Sequence, residues 1–133
     1  MNTKRIGNIS EAKALAKFLE KGWVVLQPFG DAEPYDLVID RGQGFERVQV
    51  KTGRYHKGCC IFNAHSISGR TNNQTETKYI GLADLFAVYY PPLDVIYLLD
   101  VNDIGHLSIP MLRLEPTKNN QQYRTRYAKD YVL

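Results

Sequence analysis

Four residues in the first half of the chain are of the types that polar catalysis uses: Glu11, Asp36, Gln49 and Lys51. Asp36 and the triplet Gln49-Val50-Lys51 belong to a stretch that reads as two strands, residues 35–40 and 45–51, joined by Arg41-Gly42-Gln43-Gly44. If Asp40 pairs with Phe45, then Val38 faces Arg47 and Asp36 faces Gln49. Alternation then puts Asp36, Val38, Asp40, Phe45, Arg47, Gln49 and Lys51 on one face, and Leu37, Ile39, Val48 and Val50 on the other. The second set suits a core. The first brings an acid, an amide and a lysine to one end of an otherwise apolar hairpin. Carboxylate and amide oxygens are hard ligands of the kind Mg²⁺ takes, completed by waters and phosphate oxygens. A lysine beside them can orient or deprotonate a water and offset charge developing on a phosphate. The chemistry predicted is metal-assisted phosphodiester hydrolysis, with Asp36, Gln49 and Glu11 as metal ligands and Lys51 as their catalytic partner.

The elements that must position these groups are legible around them. Residues 8–21 have helical periodicity: Ala12, Leu15, Ala16 and Leu19 form an apolar stripe, with Lys13, Lys17 and Lys21 outward. Asn8 is the expected N-cap and Gly22 the stop. Glu11, three residues after Asn8, then has two readings: a capping-box glutamate, or a carboxylate aimed at the sheet from the start of the helix. Residues 23–27 read as a strand closed by Pro28, and 29–34 as a loop with two acids, Asp31 and Glu33. After the hairpin, residues 53–58 form a basic turn, 60–64 a short strand, and 65–78 a long polar loop. Residues 84–90 and 94–100, separated by Pro91-Pro92, are the strongest strand signals; the first is apolar on both faces and is expected to be central. A turn follows at 102–105, with Leu107, Ile109, Leu112 and Leu114 expected to be buried beyond it. One helix followed by strands predicts an α/β or α+β domain with a mixed sheet.

At 133 residues the chain suits one domain with its own core. No apolar run approaches the ~20 residues of a membrane helix, and the N-terminus has no apolar leader segment. No membrane partner is therefore expected, and an intracellular location, cytoplasmic or organellar, is. Cys59 and Cys60 are adjacent and read as two small buried residues rather than a disulfide or a nucleophile pair. The three scattered histidines do not suggest zinc. The net charge of +3 is unevenly spread: +5 over residues 41–80 and +3 over 104–133, against −1 over 1–40 and −4 over 81–103. Basic segments interleaved with Tyr, Asn, Gln and Gly suit a polyanion such as DNA or RNA. The candidate contacts are Arg41, Arg54, His56, Lys57, Arg70 and Lys78, with Asn72, Asn73 and Gln74 as readers of base edges. Lys118, Arg124, Arg126 and Lys129 are candidates to hold phosphates from the tail. Taken singly, each is equally well explained as a solvated loop residue. Tyr79, Tyr89, Tyr90 and Tyr97 are expected in a core or an interface.

Asp36 followed after a β-turn by Gln49-Val50-Lys51, with Glu11 on a preceding helix, resembles the PD-(D/E)XK nuclease superfamily. Residues 7–14, the 35–38 strand, Ser68-Gly69-Arg70-Thr71-Asn72-Asn73 and residues 84–90 are similar to the group I intron-encoded homing endonucleases within it. The likeness covers residues 4–100. It implies a restriction-endonuclease-like core over residues 1–116, a mixed β-sheet flanked by helices, with 117–133 as a basic, tyrosine-bearing arm. It also implies a Mg²⁺-dependent endonuclease, with Mn²⁺ as a substitute, that makes a sequence-specific break in double-stranded DNA. Asp36 would be the principal metal ligand, Glu11 a helix-borne acid and Lys51 the catalytic lysine. One site cuts one strand, so a homo-oligomer is expected, a dimer at least, with a tetramer as the alternative. The 84–100 hairpin and its tyrosines are the expected isologous interface.

Two departures stand out. The proline lies two residues before Asp36 rather than next to it. Gln49 stands where an acid is expected, leaving the site one charge short; Glu33 is the candidate to compensate, and strand parity excludes Glu46. The residues leave two other functions open: a junction-resolving nuclease of the same fold, and a non-catalytic DNA-binding module, which Gln49 favours.

Overall fold

The computed structural model describes residues 1–68, 75–116 and 125–133. In chain order the elements are α1 (Thr3–Glu20), β1 (Val24–Leu26), β2 (Leu37–Asp40), β3 (Phe45–Thr52), β4 (Arg54–His56), β5 (Cys59–Ile61), β6 (His65–Ser68), β7 (Thr75–Lys78), β8 (Leu85–Tyr90), β9 (Val95–Asp100), α2 (Val101–Ile104) and β10 (Met111–Arg113). The main sheet has the order β1-β2-β3-β8-β9. Only its β3–β8 pair is parallel. A three-stranded sheet, β10-β5-β4, and the β6–β7 hairpin complete the α+β architecture.

The β2–β3 hairpin has the predicted register: Leu37↔Val48, Val38↔Arg47, Ile39↔Glu46, Asp40↔Phe45. Its two faces separate as alternation requires. Leu37, Ile39, Val48 and Val50 are buried in one core cluster with Ala14 and Phe18 of α1. β8 is buried at every position, as a strand apolar on both faces must be. Its Phe86, Val88 and Tyr90 enter a second cluster with Cys60, Phe62, Tyr79 and Leu112. At Gly53 the chain passes from β3 to β4. A Cβ there would overlap the Cys60 Sγ and lie 3.1 Å from Val88 Cγ1, so only glycine lets the two sheets join this closely.

Several expectations need correction. Helix α1 starts at Thr3, and its cap is Asn2, whose side chain accepts the Arg5 N–H at 2.9 Å. Glu11 therefore lies mid-helix and cannot belong to a capping box with Asn8. The buried stripe is Ser10, Ala14 and Phe18, while Ala12, Ala16 and Leu19 are exposed. Burial of the largest apolar side chain sets the rotation: Phe18 is fully covered and stacks on Trp23 at 5.6 Å, which two alanines cannot outweigh. Residues 65–78 contain a paired hairpin rather than only a loop, with His65 opposite Lys78 and Ser68 opposite Thr75. Backbone ladders need no apolar side chains, so this polar ribbon carries no alternation to betray it. The turn at 102–105 is largely the helical turn α2. Ile109 is exposed rather than buried, although Leu112 is fully buried.

The tyrosines of the β8–β9 hairpin are core residues: Tyr89, Tyr90 and Tyr97 are 7%, 3% and 3% exposed. They do not form the exposed surface expected for a two-fold interface, because both faces of these strands are already covered. At the C-terminus, Ala128 joins the second core cluster. Tyr131 O accepts the Leu98 N–H, and the Leu133 N–H reaches Ile96 O, both at 2.9 Å, so the last residues lie along β9.

Candidate active site

Asp36 is the residue immediately before β2, opposite Gln49 if the hairpin register is continued by one step. Its backbone N–H donates to Val48 O at 2.9 Å, and its Oδ2 accepts the Val50 N–H at 2.9 Å. These two bonds fix the carboxylate against β3 and leave Oδ1 without a hydrogen-bond partner among the described residues. Burial raises the Asp36 pKa; the Val50 N–H and the Lys51 charge oppose that rise. Glu11 is raised as well, first by burial and then by the negative charge of Asp36. The long helix thus brings a second carboxylate within electrostatic range of the first. Both line a cleft of about 300 Å³, together with Asp31 and Glu33 of the loop between β1 and β2.

Lys51 lies two residues beyond Gln49 on the same face of β3. Its Nζ donates to the Tyr79 hydroxyl at 3.2 Å and sits 4.6 Å from the centre of that ring. Tyr79 is buried and packs edge-on against Phe86 at 5.5 Å, so the post that steadies the lysine is part of the core. The Gln49 amide nitrogen makes one long bond, 3.4 Å to Val50 O. Its oxygen accepts none from the described residues.

The carboxylates of Asp36 and Glu11 are hard donors lining one cleft; Gln49, opposite Asp36 by register, does not line that cleft but adds a third hard oxygen on the facing strand, and both carboxyls carry a cost of ionisation that a cation would relieve. The residues present therefore fit a Mg²⁺-like ion. Among the described residues no three His, Cys, Asp or Glu side chains gather closely enough to hold a metal by themselves. Glu33 lines the cleft but does not complete such a group, so two acids, an amide, water and phosphate are the available ligands.

Earlier on β3, Arg47 is bound to Asp84: its Nε and Nη2 reach the carboxylate at 3.1 Å, and its backbone N–H does so at 2.7 Å. Asp84 is held below the usual carboxylate range, chiefly by the Arg47 side chain. Arg41 is likewise engaged, with a two-pronged pair to Glu46 at 2.7 and 3.0 Å and its guanidinium 5.2 Å from the Trp23 ring. Arg54, His56 and Lys57 are exposed on β4 and its turn, and Lys78 is exposed at the end of β7. Arg126 is half-buried and donates to Asp103 O at 3.4 Å. Arg70, Asn72, Asn73, Gln74, Lys118 and Arg124 lie outside the described residues. Burial pushes the Cys60 thiol up to about 12, which disqualifies it as a nucleophile. The spacing of the candidate site residues does not point to Tyr79, Asp84 or Asp31. The first two contact β3 only through the sheet, and Asp31 reaches the cleft only through the folding of its loop.

A carboxylate pinned at the start of β2, a helix-borne glutamate and a lysine on β3 are set in a mixed sheet that has the restriction-endonuclease-like form. Over residues 1–133 the sequence matches the PD-(D/E)XK endonuclease family, and the chain belongs to it. The structure of a bacterial homing endonuclease, I-Ssp6803I, is similar with a TM-score of 0.79 and 25% sequence identity, covering 99% of this chain and 89% of that one. No curated protein matches the sequence. The chain is thus a nuclease by family and by fold, in a family that generally uses divalent metal ions. No helix among the described residues is long and apolar enough to cross a membrane.

Proposed function

We propose that this chain is a sequence-specific, divalent-metal-dependent endonuclease that cuts double-stranded DNA, with Mg²⁺ as the ion and Mn²⁺ as a working substitute. The observation that carries the reading is the Asp36 carboxylate, held on one oxygen by the Val50 N–H and within electrostatic range of Glu11 and Lys51. A bound divalent ion supplies Lewis-acid activation of water and neutralises phosphate charge. The chain's own residues do the rest. Asp36, Glu11 and the Gln49 oxygen hold the ion. Lys51, steadied by Tyr79, orients the attacking water and offsets charge on the scissile phosphate. The exposed Arg54, His56 and Lys57 hold flanking phosphates, and Arg70, Asn72, Asn73 and Gln74 read bases.

Residues 1–116 serve as the nuclease core and 117–133 as an arm anchored by Ala128, with Arg124 and Arg126 as its candidate phosphate contacts. One such site cuts one strand, so a double-strand break of the homing type takes at least two copies. The likeness to a homing endonuclease supports that assignment. The test is incubation with a randomised duplex library in Mg²⁺, followed by sequencing of the cut ends. A defined cut motif that disappears with chelator is expected. Metal-independent binding without cleavage in either Mg²⁺ or Mn²⁺ refutes the enzyme.

A further inference from the structure

Phe29 is completely uncovered, at 107% relative exposure. The backbone on either side of it is constrained. Pro28 precedes it with its fixed φ, and Gly30 follows at φ +85°, a conformation that favours glycine. Pro28 and Gly30 both line the cleft that holds Glu11 and Asp36. Neighbouring Cα atoms are about 3.8 Å apart, so the Phe29 backbone belongs to the rim of that cleft.

A duplex advances about 3.4 Å per step along each strand. Pro28, Gly30 and Asp36 line one cleft of about 300 Å³, so nucleotides flanking a scissile phosphate at Asp36 pass beside this rim. Asp31 and Glu33, from the same loop, line the cleft as well and repel phosphate there. The group that can hold DNA at this point is therefore an uncharged one. Apolar side chains do so by entering and unstacking a base step, and aromatic rings by covering a base.

We propose that Phe29 is the wedge of this endonuclease: its ring inserts at the base step beside the scissile phosphate and so fixes the register of the cut. The inference rests on the DNA-cleaving function proposed above and adds a residue to it. A wedge placed beside the site turns a local distortion of the duplex into positional accuracy, because only a step that unstacks easily lets the phosphate settle at Asp36.

The test uses the duplex recovered from the library, with 2-aminopurine at the cut step and Ca²⁺ in place of Mg²⁺ to hold the complex uncut. Wild-type protein is expected to raise 2-aminopurine fluorescence on binding. Phe29→Ala is expected to abolish that rise, to weaken binding by about 5- to 140-fold, the equivalent of ~1–3 kcal/mol of stacking, and to blur the cut position. Phe29→Trp is expected to restore all three. Because the side chain is exposed, the unfolding midpoint of Phe29→Ala should match wild type. Unchanged fluorescence and affinity in Phe29→Ala, with wild-type cleavage intact, overturn the wedge and leave the nuclease reading standing. A change of oligomeric state in Phe29→Ala without DNA overturns it in favour of a protein contact. A wild-type chain that neither binds nor cuts duplex overturns both.

Discussion

Among the described residues, two aspartate carboxylates accept backbone N–H groups of β3, and the fold treats them in opposite ways. Asp84 is met by the Arg47 guanidinium and backbone N–H and is held below its ordinary value of 3.8. Asp36 receives one backbone N–H, is more buried, and is raised above the same value. The first has its charge matched within the chain and acts as a clasp between β3 and the start of β8. The second has its charge only partly matched, by Lys51. The difference teaches where to look for function: an acid whose folded environment disfavours its own ionisation is waiting for something else to stabilise it.

The largest effect should come from the unmatched end. Lys51→Ala and Asp36→Asn should each lower metal-dependent cleavage by roughly 10²–10³-fold or more, read from single-turnover rates on the recovered duplex. Asp36→Asn carries a second signature. Because the folded pKa of Asp36 is raised, its ionised form opposes folding at neutral pH, and that cost disappears as pH falls below the unfolded value. The variant should therefore unfold at the same or a higher temperature than wild type at pH 7 without metal. A clearly lower midpoint would put Asp36 in the same structural class as Asp84.

Asp84→Ala should do the reverse. It should cost about 1–2 kcal/mol of stability, a charged hydrogen-bond set discounted for its exposure, measured by urea unfolding. The cleavage rate of the folded protein should stay within about two-fold of wild type if the clasp is purely structural. The Asp84 contribution also has a pH window: its folded pKa is depressed, so the stabilisation is present above the unfolded value of 3.8 and is lost as pH falls through the lower folded value. An Asp84→Ala chain should show a flatter acid limb than wild type.

Gln49→Glu tests the missing charge. A third carboxylate in the donor set should reduce the Mg²⁺ concentration for half-maximal cleavage by several-fold, of the order of 1 kcal/mol. It should also lower stability slightly without metal by repelling Asp36 and Glu11. No shift in the metal requirement would remove Gln49 from the ligand set.

The smallest effect separates engaged from free basic residues. Lys57→Ala should reduce the slope of log affinity against log salt by about 1. Arg41→Ala should leave that slope alone and cost about 0.5–1 kcal/mol of stability, since Arg41 is occupied by Glu46 and Trp23.

The sequence by itself determined the β2–β3 hairpin, because a period of two and a four-residue turn leave one register that buries Leu37, Ile39, Val48 and Val50 together. The same period of two puts Asp36, Gln49 and Lys51 on one face, and the two-sided apolar run of residues 84–90 marks an interior strand of the sheet. What only the tertiary structure decided were contacts between segments distant in the chain. The rotation of α1 was set by where Phe18 could be buried, which stripe-counting over alanines misjudged. The identity of the Lys51 post, Tyr79, and of the Arg47 clamp, Asp84, followed from the parallel pairing of β3 with β8. The burial of Tyr89, Tyr90 and Tyr97 depended on which layers cover the sheet. Local periodicity specifies which side chains share a face; only packing specifies what that face meets, because burial depends on the surfaces the rest of the chain brings to it.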